Sequence, residues 1–282
     1  MKRALIFIFA IMIISFSANI SAGQTYQLSM LPRYSSEEIN KRIAPLARYL
    51  SQIIGTKVEP VIASNFVQYE KRLKNGDIEI GYENPYIYVR VSDTHEVLAM
   101  AIKGKAGDRF RGIIIARADS NIASLNDLKN RKISIVGFTS AGGYLSQKLT
   151  LMQEGIDMDK DCQVSEAVNN KQENVILAVY TGEADAGFIR ESALHMADKF
   201  VPRSKIKVIN RSAWLPNWAL SVKRTFSAKQ KMAIQKALVK LKESNPVIKA
   251  LKIKGLRAAS DKEYDPVRQA AGMRIPERKK NK

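Results

Sequence analysis

The chain is poor in the residues that most often carry catalysis or hold metals. Its 282 residues include one cysteine, Cys162, and two histidines, His95 and His195. A single thiol excludes an intramolecular disulfide, and so few imidazoles exclude a histidine-rich metal site. The sequence also contains no GxSxG nucleophile elbow, no phosphate-binding GxxxxGK[ST] loop and no HExxH zinc motif. We therefore expect no enzymatic activity, no metal and no organic cofactor.

Long apolar runs are absent beyond the first 22 residues. That opening segment has a basic start at Lys2 and Arg3, an apolar stretch over residues 4–16, and a small residue, Ala22, before Gly23. This pattern predicts a secretory signal peptide over residues 1–22, because the apolar stretch is too short to span a membrane. No cysteine lies near the predicted cleavage point, so we expect an exported, soluble protein without a lipid anchor.

The scarcity of acidic residues is confined to the last third of the chain. The formal net charge is +19, and residues 199–282 contain 23 Lys and Arg against 5 Asp and Glu. A basic surface can attract nucleic acid, anionic membranes or small anions. Export and the lack of aromatic–basic interleaving in this region argue against nucleic acid. We interpret the basic region as a solvated face close to a membrane, which would also help to draw in a small anion.

The rest of the chain alternates short apolar runs with amphipathic segments, which predicts an α/β fold. The predicted strands are residues 26–31, 57–62, 77–82, 98–102, 112–116, 133–136, 184–188 and 205–209. Two irregular segments, 103–111 and 213–218, resemble crossovers between two domains.

One segment predicts an anion site. Residues 131–149 form a predicted strand, a small polar loop and a helix, so that Thr139, Ser140, Ala141, Gly142 and Gly143 lie at a helix start. The first N–H groups of a helix lack partners and carry partial positive charge, which favours anions. The alternative is an ordinary turn in which Thr139 or Ser140 caps the helix.

Three further groups lie near the ends of predicted strands and could line a binding cleft, because ligands of α/β proteins bind at the carboxyl ends of strands. They are Arg33 with Tyr34, then Tyr82 with Asn84 and Tyr86, and finally Asp185 with Arg190. As alternatives, the tyrosines could pack on a sheet face, and Arg190 could form a surface pair with Glu191 or Asp185.

The order of several short motifs carries a family resemblance. These motifs are Pro45-Leu46-Ala47-Arg48-Tyr49-Leu50 with Gly55, residues 73–78 (LKNGDI), residues 84–86 (NPY), residues 124–129 (SLNDLK) and residues 179–187 (VYTGEADAG). From about residue 26 to residue 225 the chain resembles the periplasmic substrate-binding proteins of phosphate, phosphite and phosphonate ABC transporters.

The resemblance implies a two-lobed type II periplasmic-binding-protein fold, in which each lobe is a mixed sheet flanked by helices and the ligand binds between the lobes. We expect lobe 1 to comprise residues 23–108 and 212–273, lobe 2 residues 109–211, and residues 274–282 a disordered basic tail. The implied protein is a periplasmic monomer that captures a small oxyanion for an ABC permease. An alternative is a periplasmic sensor or adaptor for a membrane receptor kinase.

Three positions depart from the family pattern. Phosphonate-binding members carry Ser-Thr-Ser-Gly where this chain has Ser140-Ala141-Gly142-Gly143. They also carry Asp-Tyr in place of Asn65-Phe66, and a histidine at the position of Gln172. Each hydroxyl lost opposite a buried oxyanion would cost about 1–3 kcal/mol. These departures predict that Phe66 and Gln172 contact the ligand in a site that differs from that of phosphonate binders.

Overall fold

The computed structural model describes residues 24–278. The predicted signal peptide and the last four residues of the predicted tail lie outside the described residues. Within residues 24–278, none of the helices combines the length and the apolar character needed to cross a bilayer.

The described residues alternate strands and helices throughout. The strands are β1 Thr25–Met30, β2 Lys57–Pro60, β3 Ile80–Glu83, β4 His95–Ile102, β5 Arg109–Phe110, β6 Gly112–Arg117, β7 Lys132–Ile135, β8 Gln163–Glu166, β9 Ala186–Arg190, β10 Ile206–Arg211, β11 Leu215–Pro216, β12 Ala219–Lys223 and β13 Gly255–Ala258. The α-helices are α1 Ser36–Ile54, α2 Phe66–Asn75, α3 Pro85–Val91, α4 Ser146–Gln153, α5 Met158–Asp161, α6 Gln172–Thr181, α7 Ala228–Val239, α8 Pro246–Leu251 and α9 Asp265–Ala270. A π-helical turn, Ala141–Leu145, leads directly into α4.

Two mixed sheets organise the molecule and confirm the predicted α/β class. The first has six strands in the order β13-β4-β12-β3-β1-β2, and the second has five in the order β10-β6-β9-β7-β8. In the first sheet β1 is parallel to β2 and β3, and in the second β7 is parallel to β8 and β9. The ribbon of β5 and β11 lies where the chain passes between the sheets. The carboxyl ends of β1 and β3 therefore lie at one edge of the first sheet, and those of β7 and β9 lie at one edge of the second.

The helices begin and end where local chemistry requires. The hydroxyl of Ser35 accepts the N–H of Glu38 at 3.3 Å, and Gly55 ends α1 with a positive φ of 66°. Between these ends α1 buries an apolar stripe that includes Ile39, Ile43 and Leu50 against the first sheet. The helix continues through Pro45 to Ile54.

A proline begins a helix at two places. Asn84 caps α3 and Pro85 is its first residue. After α7 ends at Val239, Pro246 begins α8. Proline suits the first turn of a helix, where its missing N–H has no partner to lose.

The predicted disordered tail has one anchor within the described residues. The guanidinium of Arg278 lies 2.6 Å from carboxylate oxygens of both Asp261 and Asp265. Arg268, which is almost fully buried, pairs with the same two carboxylates. Residues 274–278 therefore attach to the start of α9 through Arg278.

Candidate ligand-binding cleft

A cavity of about 510 Å³ lies between the ends of strands from the two sheets. From the first sheet and its connections it is lined by Leu31, Arg33, Phe66, Asn84, Pro85 and Trp218. From the second it is lined by Val136, Gly137, Thr139, Ser140, Ala141, Asn169, Asn170, Lys171, Gln172, Glu173, Arg190 and Met196, and Phe110 of the β5–β11 ribbon completes it. The lining thus combines aromatic rings, side-chain amides, a helix start and cationic groups from both sides.

The predicted helix start lies at this cavity. The hydroxyl of Ser140 accepts the N–H of Gly143 at 3.1 Å, so Ser140 caps the helix, as the alternative interpretation proposed. That cap leaves the N–H groups of Ala141 and Gly142 at the first turn, where helix geometry supplies no acceptor. Thr139 is exposed beside them. A cap and an anion site are therefore compatible here, since the cap uses one donor and leaves others.

Gly142 and Gly143 lie behind the cavity surface and are both buried. A Cβ built at Gly143 would overlap the side chain of Val136. At Gly142 a Cβ would lie 3.2 Å from both Phe110 and the side chain of Arg190. Glycine at these positions allows the helix start to approach β7 and Arg190 closely. The two residues shape the site through packing.

Arg190 is the last residue of β9 and the central cation of the site. Its guanidinium lies 4.2 Å from the centre of the Phe110 ring, and its backbone N–H donates to Oε1 of Gln172 at 2.8 Å. Within residues 24–278, no carboxylate lies within ion-pair distance of this guanidinium. Burial, and then repulsion from Arg33, lowers the pKa of Arg190 to about 10. Arg190 thus remains charged at neutral pH and has no anionic partner of its own.

The two acidic partners predicted for Arg190 have other contacts. Glu191 pairs with Arg111 at 2.8 Å and with Arg211 at 3.0 Å. The carboxylate of Asp185 accepts the backbone N–H of Lys132 at 2.9 Å. Asp185 precedes β9, so it lies at the opposite end of that strand from Arg190, roughly 15 Å along the chain at strand spacing. The structure therefore places Asp185 outside the cleft.

A small recess opens beside Arg190, with a volume of about 20 Å³. It is lined by Met30, Arg33, Tyr34, Arg42, Tyr82, Lys103, Arg190, Asn217, Trp218 and Leu251. Space of this size holds about one water molecule or one oxygen of a larger anion. Among the four cations, Arg42 is paired with Glu38 at 2.7 Å. The recess therefore concentrates positive charge without an equal number of carboxylates.

Lys103 shows the effect of that concentration. The residue is exposed at the rim of the recess. Desolvation of its ammonium group, and then repulsion from Arg190 and Arg33, lowers its pKa to about 8. A lysine pKa falls in this way when neighbouring cations disfavour its charged form. An anionic ligand in the recess would favour the charged form of Lys103 and so raise its pKa.

The predicted tyrosines divide between the recess and the packed interior. The ring of Tyr34 lies 4.1 Å from the guanidinium of Arg42, and the ring of Tyr82 lies 5.2 Å from that of Trp218. Both tyrosines line the recess. Tyr86 is helical and half-buried, contacts Arg90 at 5.6 Å, and is absent from the lining of the cavity and of the recess. Tyr34 and Tyr82 therefore lie at the recess and Tyr86 lines neither space, while ligand contact by any of the three stays a prediction.

Several lining residues were not predicted. Asn169 and Asn170 have positive φ angles of 55° and 52°, and the amide of Asn170 donates to the carbonyl of Val136 at 2.7 Å. The consecutive asparagines follow β8 at its carboxyl end and tolerate the left-handed region, so the strand-end rule could have identified them. Lys103 and Trp218 lie on the crossovers, where sequence pattern alone gives no side-chain direction.

A buried polar network lies under the end of β3, next to Asn84. The carboxylate of Glu83 is fully buried and accepts hydrogen bonds from Tyr69 at 2.9 Å and from Ser221 at 2.6 Å. Burial raises the pKa of Glu83 to about 7. The ring of His95 lies 3.2 Å from the Ser221 hydroxyl, and burial lowers the pKa of His95 to about 4. These groups hold the strand end through neutral donors rather than facing the cavity.

The donor set of the cleft suits an anion better than a metal. Guanidinium, ammonium, amide and backbone N–H groups donate hydrogen bonds to oxyanions, whereas metal ions need carboxylates, imidazoles or thiolates. Among the residues that the structure describes, no group of three or more His, Cys, Asp and Glu side chains could hold a metal ion.

Residues 28–264 match the family model for the periplasmic substrate-binding protein of phosphonate ABC transporters. The match covers most of the chain, and the chain belongs to this family. The fold has two mixed sheets with flanking helices, as in the two-lobed periplasmic binding proteins among its structural neighbours.

Three known proteins show the range of the similarity. The phosphate-import protein PhnD of Mycolicibacterium smegmatis is 27% identical over 187 residues, which are 62% of this chain and 57% of that protein. The structure of XAC2383 from Xanthomonas citri bound to ATP has a TM-score of 0.71 at 18% identity, covering 88% of this chain and 96% of that one. PhnD1 from Prochlorococcus marinus in complex with methylphosphonate has a TM-score of 0.65 at 16% identity, covering 88% and 97%.

Proposed function

We propose that this chain captures a small oxyanion of the phosphate or phosphonate class in the periplasm and delivers it to an ABC permease. The observation that carries the proposal is Arg190, a half-buried cation without a carboxylate partner in the described residues, beside a helix start. Arg33 faces the same cavity from the other sheet. Charged donors from two sides of a cleft provide both affinity and a reason to close around the anion.

In the proposed site a small number of groups bind the anion, and each has a separate role. Arg190 and Arg33 bind the charge, and the backbone N–H groups of Ala141 and Gly142 bind oxygens with help from the Thr139 hydroxyl. Gln172 holds the backbone of Arg190 at 2.8 Å. This arrangement supplies cationic donors where phosphonate-binding relatives have the hydroxyls of Ser-Thr-Ser-Gly. The phosphate-import, ATP-bound and methylphosphonate-bound relatives support an anionic ligand.

The proposed motion is closure of two lobes. We assign residues 23–108 and 212–273 to one lobe and residues 109–211 to the other, with the β5–β11 ribbon as the hinge. Hinges of this kind absorb a rotation in a few residues at the ends of elements. An anion held by Arg33 on one side and Arg190 on the other would stabilise the closed form.

Calorimetric titration with phosphate, phosphite and methylphosphonate tests the proposal, with glycerol as an uncharged control. We expect saturable heat at a one-to-one ratio for at least one of the three anions, and a raised melting temperature in its presence. Absence of heat with all three anions, together with an unchanged melting temperature, would contradict the assignment.

The proposed location and partner have separate tests. Mass spectrometry of protein recovered from the periplasm should show an amino terminus at Gly23, which would establish signal cleavage. Addition of the loaded protein should stimulate ATP hydrolysis by a cognate permease in membranes. Absence of stimulation, with ligand binding intact, would favour the receptor-kinase alternative.

A further inference from the structure

A second cavity lies on the hinge side of Arg190 and has a volume of about 440 Å³. It is bounded by the loop of residues 103–106, by the β5–β11 ribbon with Trp214, and by the residues that follow β9. Arg190 and Phe110 line both this hinge-side cavity and the cleft. The stacked pair therefore forms the boundary between the two spaces, and Arg190 lines both.

The charges around these joined spaces are strongly unbalanced. Cations that line the cleft, the recess or the hinge-side cavity, and that have no ion pair in residues 24–278, are Arg33, Lys103, Lys105, Arg109, Lys171 and Arg190. Among the described residues, two carboxylates line these spaces. Glu191 is already paired with Arg111 and Arg211, so Glu173 is the one available to balance the cations. A cleft lined by one sign of charge focuses its field on the ligand.

A single phosphate or phosphonate group is too small to satisfy this arrangement. Near neutral pH it carries at most two negative charges, and in contact with Arg33 and the helix start it would leave the hinge-side cations without a counter-ion. Lys105 and Arg109 lie beyond Arg190 in the second cavity. The guanidinium of Arg109 is exposed, lies 4.7 Å from the Trp214 ring and has no carboxylate partner in residues 24–278.

We infer that the natural ligand carries at least two anionic groups, one bound on the cleft side of Arg190 by Arg33 and the helix start, and the other on the hinge side by Lys105 and Arg109. The inference rests on the proposed oxyanion-binding function and narrows its substrate class to polyanions. Arg190, reachable from both cavities, would contact both groups.

The main competing explanation is general attraction of polyanions to a basic protein. The chain offers a matched control for it, because Lys229 and Lys236 are exposed on α7, have no ion pair among the described residues and lie outside the three spaces. Lys229→Gln with Lys236→Gln removes the same charge as Lys105→Gln with Arg109→Gln. Only the second pair removes proposed ligand contacts.

The experiment titrates phosphate, pyrophosphate and tripolyphosphate at constant ionic strength into the wild type and both double variants. We expect the tightest polyphosphate to bind about 30-fold more strongly than phosphate to the wild type, as one additional charged contact would provide. The hinge-side double variant should lose most of that preference and keep its affinity for phosphate. The α7 double variant should keep both, and Trp214 fluorescence in a Trp218→Phe background should respond to polyphosphate.

Three outcomes would overturn the inference. If phosphate binds as tightly as the longer anions, the second group has no site, while the proposed function stands. Equal losses in the two double variants would attribute the preference to net charge alone. If none of the three anions binds, the proposed function fails as well.

Discussion

Glu83 and Arg190 lie at equivalent positions in the two halves of the molecule, but their side chains have opposite environments. Each is the last residue of a strand that ends at the cleft. Glu83 is fully buried among neutral donors from Tyr69 and Ser221. Arg190 has no carboxylate partner in the described part of the chain and lines the cavities. A charge that the protein itself satisfies holds the scaffold, whereas a charge left unsatisfied is available to a ligand.

The comparison also separates the roles of neighbouring residues. Asn84, which follows Glu83, uses its side-chain oxygen to accept the N–H of Ile87 at 2.8 Å and so caps α3. Gln172 uses its side-chain oxygen to accept the N–H of Arg190. Both amides line the cleft, and each is committed to positioning an element of the site. Their second polar atoms are the ones that a ligand could use.

The largest expected effect comes from removing the unsatisfied charge. Arg190→Gln should weaken oxyanion binding about 1000-fold, since two charge-assisted hydrogen bonds contribute on the order of 4 kcal/mol. The free protein should melt at the same or a higher temperature, because the lost group is a desolvated cation without a partner. Calorimetry and thermal melting measure both quantities.

The control for that variant is Arg117→Gln. Arg117 is the last residue of β6, at the end of that strand away from Arg190, and pairs with Asp119 at the surface. It removes the same charge and should leave affinity within about twofold. Equal losses in the two variants would show that net charge, and not the site, determines binding.

The second effect concerns stability rather than binding. The pKa of Glu83 rises from 4.5 to about 7 on folding, so its charged form is disfavoured in the folded state. The stabilising contribution of protonated Glu83 is complete below pH 4.5 and is lost as the pH rises through 7. Relative to the wild type, Glu83→Gln should gain about 3 kcal/mol in unfolding free energy between pH 4.5 and pH 7.5.

Urea unfolding of both proteins at pH 4.5, 6 and 7.5 measures this difference. His95 acts in the opposite direction, because its lowered pKa reduces stability as the pH falls from 6.5 toward 4. That contribution is common to both proteins and cancels in the comparison. A difference that does not change with pH would refute the assignment of a raised pKa to Glu83.

A smaller effect should come from Lys103, whose pKa is lowered to about 8 in the free protein. An anion binds the charged ammonium better, so affinity should fall as the pH rises above 8. Between pH 7 and pH 9.5 we expect the wild type to lose about tenfold more affinity than Lys103→Gln, measured with the same anion. The ligand's own titration is common to both proteins. Parallel pH profiles would exclude Lys103 from the site.

The smallest expected effect is that of Gln172→Ala. This change removes the acceptor of the Arg190 backbone N–H without touching the guanidinium. One neutral hydrogen bond contributes about 1 kcal/mol, so affinity should fall about fivefold. Gln172→Glu keeps an acceptor but adds a carboxylate beside Arg190, so it should weaken anion binding more than Gln172→Ala does. A loss as large as that of Arg190→Gln would mean that Gln172 binds the ligand directly.

The sequence predicted the α/β class, the order of most elements and the place of the helix start, because these depend on local periodicity and capping. It placed Arg33, Thr139 and Arg190 at the cleft because carboxyl ends of parallel strands meet there. Asp185 precedes β9, which begins at Ala186, so the structure places that carboxylate at the end of the strand away from the cleft. Tyr86 lies in a helix started by Asn84 and Pro85 and lines neither the cleft nor the recess.

Other features depend on contacts that local pattern does not encode. The Glu83 network joins residues 69, 83 and 221 from distant parts of the chain. The recess brings Lys103 and Trp218 from the two crossovers to Arg33 and Arg190. Whether a given arginine is paired depends on every neighbour in three dimensions. Glu191 illustrates this, since it follows Arg190 directly and yet pairs with Arg111 and Arg211.

A crystal structure of the chain with methylphosphonate would test the central claim most directly. The account predicts phosphonate oxygens within about 3 Å of the Arg190 guanidinium and of the N–H of Ala141 or Gly142, with Arg33 approaching from the other lobe. An anion bound away from Arg190, or an Arg190 side chain turned to a carboxylate of the protein, would contradict it.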